Sequence, residues 1–90
     1  MKLEFDPAKR QATLRVRGLD MADVGQVFED NTLTVEDDRK DYGETRCITI
    51  GFLAGRMVVL VWTPRGATRR IISLRKANAK EQKAYGPRLR

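Results

Sequence analysis

This 90-residue chain contains no histidine and a single cysteine, Cys47. The first absence removes the usual imidazole acid or base, the commonest zinc ligand and every triad built on histidine. The second rules out an internal disulfide and suits a reducing compartment. Cys47 falls in a strand pattern, where a thiol serves as a small buried hydrophobe. The longest apolar run, Met57 to Trp62, is too short to cross a membrane. No basic segment leading into an apolar one opens the chain, so no secretory signal is expected and the cytoplasm is the expected compartment. No glycine cluster offers a nucleotide cradle. What the second half lacks most is acid: residues 46–90 hold 11 Lys/Arg and only Glu81, whereas residues 1–45 hold 7 Lys/Arg and 11 Asp/Glu. Balances of +10 and −4 point to a polyanionic partner, above all nucleic acid.

What is present suits one domain: 41% apolar and 33% charged residues describe a soluble globular chain. Lys2 to Phe5 alternates as a short strand. Asp6 can cap a helix that Pro7 enters and Gly18 ends. Asp20 can cap a second helix through Met21, Val24, Val27 and Phe28, and Leu33 to Glu36 reads as a strand. After the polar stretch 36–44 come two strongly apolar strands, Arg46 to Leu53 and Arg56 to Thr63, joined at Ala54-Gly55. A turn over "TPRG" leads to a strand from about Thr68 to Arg75, making an antiparallel meander. Asn78 and Glu81 form a capping box for a last helix ending near Gly86-Pro87. This order predicts an α+β fold. The strand from Met57 to Trp62 is apolar on both faces, so the last helix or a partner chain must cover the second.

The stretch "RGATRRIISLRKA" (65–77) sets Arg65, Arg69, Arg70, Arg75 and Lys76 around an apolar strand. One acid among 11 cations in this half predicts that ion pairing cannot satisfy them all, and arginine forks suit phosphate oxygens. Alternation puts Ser73 and Arg75 on one open face, with Arg65 and Arg46 converging there. It sends Arg70 to the opposite face unless the strand carries a bulge. Cleaving RNA without a metal needs a base for the 2′-hydroxyl, a cation at phosphorus and an acid for the 5′-oxygen. Lys9 and Lys76 are candidates for moving protons, beside Glu44 and Tyr85. Trp62, Tyr42 and Tyr85 could stack on bases, with a core position the commoner fate for Trp62. The acids Glu36, Asp37, Asp38, Asp41 and Glu44 allow a magnesium site, but alternation splits them and a solvated loop is expected instead, with no metal or cofactor.

Taken in order, "FDPAK", "VFED", "EDDRKDYGETRCITIG", "RMVVLVWT", "RIISLRKA" and "KEQKAY" resemble the BrnT toxins over about residues 3 to 85. These are ribonuclease members of bacterial type II toxin–antitoxin systems. The resemblance implies a RelE-like domain: an antiparallel sheet of four to five strands, two N-terminal helices and one C-terminal helix. It implies an endoribonuclease that cleaves RNA and blocks translation. It also implies a BrnA-like ribbon-helix-helix antitoxin as partner, with a homodimer or a toxin–antitoxin heterotetramer as the assembly. The family's basic residues map onto Lys9, Arg46, Arg65, Arg70 and Arg75, with Ser73 between the last two. On this reading Lys9, Arg65, Arg70 and Arg75 are catalytic, and Arg46, Arg69, Ser73 and Lys76 bind RNA. One departure matters: the family's first helix reads Lys, Asn and His at intervals of four before Gly, and here those positions are Lys9, Thr13, Arg17 and Gly18. An arginine does not release a proton near neutral pH. The alternative expectation is a non-catalytic RNA-binding domain using the same surface; a module binding an acidic protein is a third.

Overall fold

A computed structural model describes residues 2–89. Strand β1 (Lys2–Glu4) leads into helix α1 (Pro7–Arg17). The Asp6 carboxylate accepts the Ala8 N–H at 2.8 Å, and Gly18, left-handed at φ 69°, returns its N–H to Leu14. Both ends are therefore those that capping chemistry predicts. The second helix is not continuous. A 3-10 turn, Met21–Asp23, capped by Asp20, precedes a short α2, Gly25–Phe28. Its buried residues, Met21, Val24 and Val27, recur every third position, the 3-10 period. Gly25 between them further weakens a regular helix.

Strands β2 (Leu33–Glu36), β3 (Cys47–Leu53), β4 (Arg56–Arg65) and β5 (Thr68–Lys76) follow, then helix α3 (Ala79–Leu89). The sheet order is β1-β5-β4-β3-β2. Strands β2 to β5 run antiparallel as expected, but β1 pairs β5 in parallel, Leu3 opposite Arg69, so the sheet is mixed. Strand β4 also runs through the predicted turn, which shifts to Gly66-Ala67. Pro64 is tolerated because β3 stops at Cys47, opposite Trp62, leaving β4 an edge beyond it.

On one face of the sheet, Val58, Leu60, Trp62, Ile71 and Leu74 pack against Leu19, Met21, Val24 and Val27. Gly51 lets this layer close, since a Cβ there would lie 2.7 Å from Val27 Cγ1. On the other face Ile50, Met57 and Val59 meet Ala77 and Leu89, with Tyr85 half-buried beside them. The last helix thus covers part of the second apolar face, as the composition of β4 requires. It does not end at Gly86-Pro87: burial of Leu89 against the sheet holds the last turn despite the amide proton that Pro87 lacks.

Candidate functional site

The cations of β5 are arranged by one extra residue. Ser73 faces Val61 while Ile71 faces Trp62, so Ile72 is a β-bulge. Beyond it the alternation is reset. Arg70 opposite Thr63, Ser73 opposite Val61 and Arg75 opposite Val59 come to share one face. That is the face of Arg65 and of the α3 side. Ile71 and Leu74 remain together in the core beneath the other. Val59 and Thr63 are four residues apart on β4, so Arg70 and Arg75 emerge roughly 13 Å apart along the sheet.

Acids from distant parts of the chain meet these arginines. Arg70 Nη1 lies 2.9 Å from Glu4 Oε1, and Arg65 Nη1 lies 3.9 Å from the same oxygen. Arg65 Nη2 reaches Glu44 Oε1 at 3.4 Å, while Thr63 Oγ1 donates to Glu44 Oε2 at 2.8 Å. The Thr63 hydroxyl first, then Arg65 and Arg46, hold the Glu44 carboxyl below its usual range against the opposing effect of burial. Arg46 stacks 4.1 Å from the Tyr42 ring centroid, and Tyr42 donates to Asp37, which also takes a bidentate fork from Arg39. Asp41 accepts the Gly43 N–H, so the acidic loop is organised by its own backbone and neighbours.

At the other end of the face Arg75 grips Glu81 with both arms, at 2.7 and 2.8 Å. Glu81 also closes the predicted capping box with Asn78. Its side chain therefore does both jobs. This pairing, chiefly the Arg75 hydrogen bonds, lowers the Glu81 pKa to about 2 from 4.5. A depressed carboxyl stabilises the fold above its unfolded pKa and loses that effect as pH falls through the folded value. Stability should therefore decline from pH 4.5 toward about 2. In urea titrations across that window, Glu81→Gln should show a shallower pH slope than the parent; identical slopes would refute the assignment.

The remaining predicted residues are dispersed. Arg69 turns to the core face, its guanidinium 3.8 Å from the Phe28 ring and 5.2 Å from Trp62. Trp62 itself is core, donating to Thr49 Oγ1 at 2.8 Å. Lys76 is exposed opposite Val58, and Lys9 is exposed on α1, in the helical layer; neither has an acidic partner among the described residues. Arg17 donates to the Leu74 carbonyl at 2.7 Å. Strand β1 covers β5 only over residues 68–70, so Arg17 caps the open edge beyond it. Ion pairing does not satisfy all of these cations, as expected: Arg69 and Lys76 have no acidic partner among the described residues. Glu4 and Glu44 come from the acidic half, and with Glu81 they reach three of the four arginines in the stretch; the fourth stacks on aromatic rings. Glu4 and Thr63 were not read as part of any site, and nothing local marks them, because a pairing 66 residues apart is made only by the sheet.

No curated protein matches the sequence. Residues 5–81 match a family described as "Ribonuclease toxin, BrnT, of type II toxin-antitoxin system". That span contains the basic face, Glu44 and Glu81 among the acids that meet it, and the bulge that aligns them, and the chain therefore belongs to the BrnT family of ribonuclease toxins.

Proposed function

We propose that this toxin is a metal-independent endoribonuclease, acting in the cytoplasm, whose cleavage of RNA stops translation. The bulge at Ile72 carries this reading, because it gathers Arg70 with Arg65 on a face that also presents Ser73 and Arg75. Arg65 and Arg70 would hold the reacting phosphate, exchanging their contacts with Glu4 and Glu44 for phosphate oxygens. Ser73, Arg75 and Arg46 would hold the strand on either side. Arg69, stacked in the core, would support this surface, while Lys9 and Lys76 would add general attraction for a polyanion. The antitoxin that neutralises it is, on the family resemblance, a ribbon-helix-helix protein that closes this face.

Labelled mixed-sequence RNA in excess EDTA tests the reading. The parent should cleave it to fragments ending in 2′,3′-cyclic phosphate. Arg65→Ala/Arg70→Ala should be slower by about 10³-fold, as expected for lost charge stabilisation at the reacting centre. Its circular dichroism should be unchanged. RNA binding without cleavage would instead favour the non-catalytic domain, and cleavage that survives the double substitution would move the phosphate grip elsewhere.

A further inference from the structure

Metal-free cleavage through these arginines supplies a grip on phosphate but no base, and the chain has no histidine to provide one. The acids on the basic face differ in how free they are. Glu81 has both oxygens committed to Arg75, and one of them also accepts the Asn78 N–H. Among the described residues, Glu4 meets only Arg65 and Arg70. Glu44 is built differently. A hydroxyl from Thr63, itself only 2% exposed, fixes one carboxylate oxygen. The other oxygen meets Arg65 at 3.4 Å, long for a charge-assisted hydrogen bond, where about 2.8 Å is usual. The side chain is 34% exposed, so a substrate can reach it. An oriented carboxylate thus stands beside a cation that is free to turn away from it.

We propose that Glu44 is the general base of RNA cleavage, an inference that rests on the ribonuclease reading above. Glu44 Oε1 takes the proton of the 2′-hydroxyl as the 2′-oxygen bonds to phosphorus. The bond from phosphorus to the 5′-oxygen breaks, and that oxygen leaves with a proton from solvent water. Glu44 then returns its proton to solvent. Protonation of Glu44 removes the charge that faced Arg65, so Arg65 is released to the phosphate as negative charge builds there. Thr63 is a positioning residue in this scheme, acting through Glu44. The charged and titratable groups around Glu44 are Arg65 on β4, Arg46 just before β3, Glu4 through Arg65, Glu36 at the end of β2, and Asp37, Asp38, Lys40, Asp41 and Tyr42 in its own loop.

The test compares the parent with Glu44→Gln in single-turnover cleavage of the same RNA in EDTA, from pH 3.5 to 7. Glu44→Gln should be slower by about 100-fold at pH 7, the lower end of what a general base contributes. Its RNA affinity should be unchanged or tighter, because a negative charge has left a basic surface. The parent should lose about tenfold in rate per pH unit once Glu44 becomes protonated, below pH 4.5, and Glu44→Gln should lack that limb. Glu44→Asp, which keeps the charge but draws it back, should be slowed while keeping the limb. If Glu44 only neutralises Arg65, Glu44→Gln will cleave as fast as the parent or faster, and the proposal falls while the ribonuclease reading stands. A Glu4→Gln variant that loses the rate while Glu44→Gln keeps it would give the role to Glu4. A parent that binds RNA and never cleaves it overturns both.

Discussion

Replacing Ile71 and Leu74 together by lysine should abolish the cooperative fold. The bulge lets both side chains enter the core, although an unbroken strand would send residues three apart to opposite faces. The double variant Ile71→Lys/Leu74→Lys forfeits about 2–3 kcal/mol of burial at each position. Two unpaired ammonium groups in the helical layer cost several kcal/mol more. Together these approach the whole stability of a domain of this size, about 5–13 kcal/mol. Urea unfolding followed by Trp62 fluorescence should show no sigmoidal transition for the double variant. Deletion of Ile72, by contrast, joins Ile71 to Ser73 and keeps every pair with β4, so it should still unfold cooperatively. A double variant that unfolds cooperatively near the parent's midpoint would mean that the bulge does not hold these two positions in the core.

Leu60→Ala should be the most damaging single exchange in the sheet. Leu60 is fully buried on the middle strand, flanked across the ladders by Leu74 and Thr49, with the Met21 layer above it. Little can collapse into the space left, because the strands on both sides are fixed by their own pairing. A loss of about 3–4 kcal/mol follows from the lost burial and the cavity together. For a domain of this length that lowers the melting temperature by about 15 °C or more. Differential scanning calorimetry reads the shift directly. A drop of less than 5 °C would mean that the core relaxes around the gap. Leu60 lies on the face away from Arg65 and Arg70, so RNA binding per folded molecule should not change.

The elements were legible where one residue carries a local rule. Asp6, Gly18, Asn78 and Glu81 mark helix ends by their own chemistry, and Ala54-Gly55 marks the hairpin with φ of 51° and 78°. The family, too, could be read from the order of short motifs. What the sequence hides is set by register. Nothing in "RRIISLRK" says which residue is extra, because Ile72 is as apolar as Ile71 and only the pairing with Val61 and Trp62 tells them apart. The partner of Arg70 is hidden for a related reason. Nothing in the local sequence brings Glu4 near it, and the sheet sets them side by side. Arg69 shows the limit from the other direction: a cation beside a strand looks like a surface residue until its neighbours prove to be Phe28 and Trp62.

The parallel pairing of β1 with β5 also bears on how the toxin comes into being. Glu4 and Arg70, 66 residues apart, belong to strands at opposite ends of the sequence. Synthesis proceeds at about 5–20 residues per second, so roughly 3–13 s separate the making of one from the making of the other. Throughout that interval β1 has no strand to join, and the basic face is incomplete. The arginines of β5 emerge among the last residues, already beside the acids waiting to neutralise them. The basic face is therefore assembled only when the chain is nearly finished. An antitoxin has the same interval in which to meet the nascent sheet before it closes.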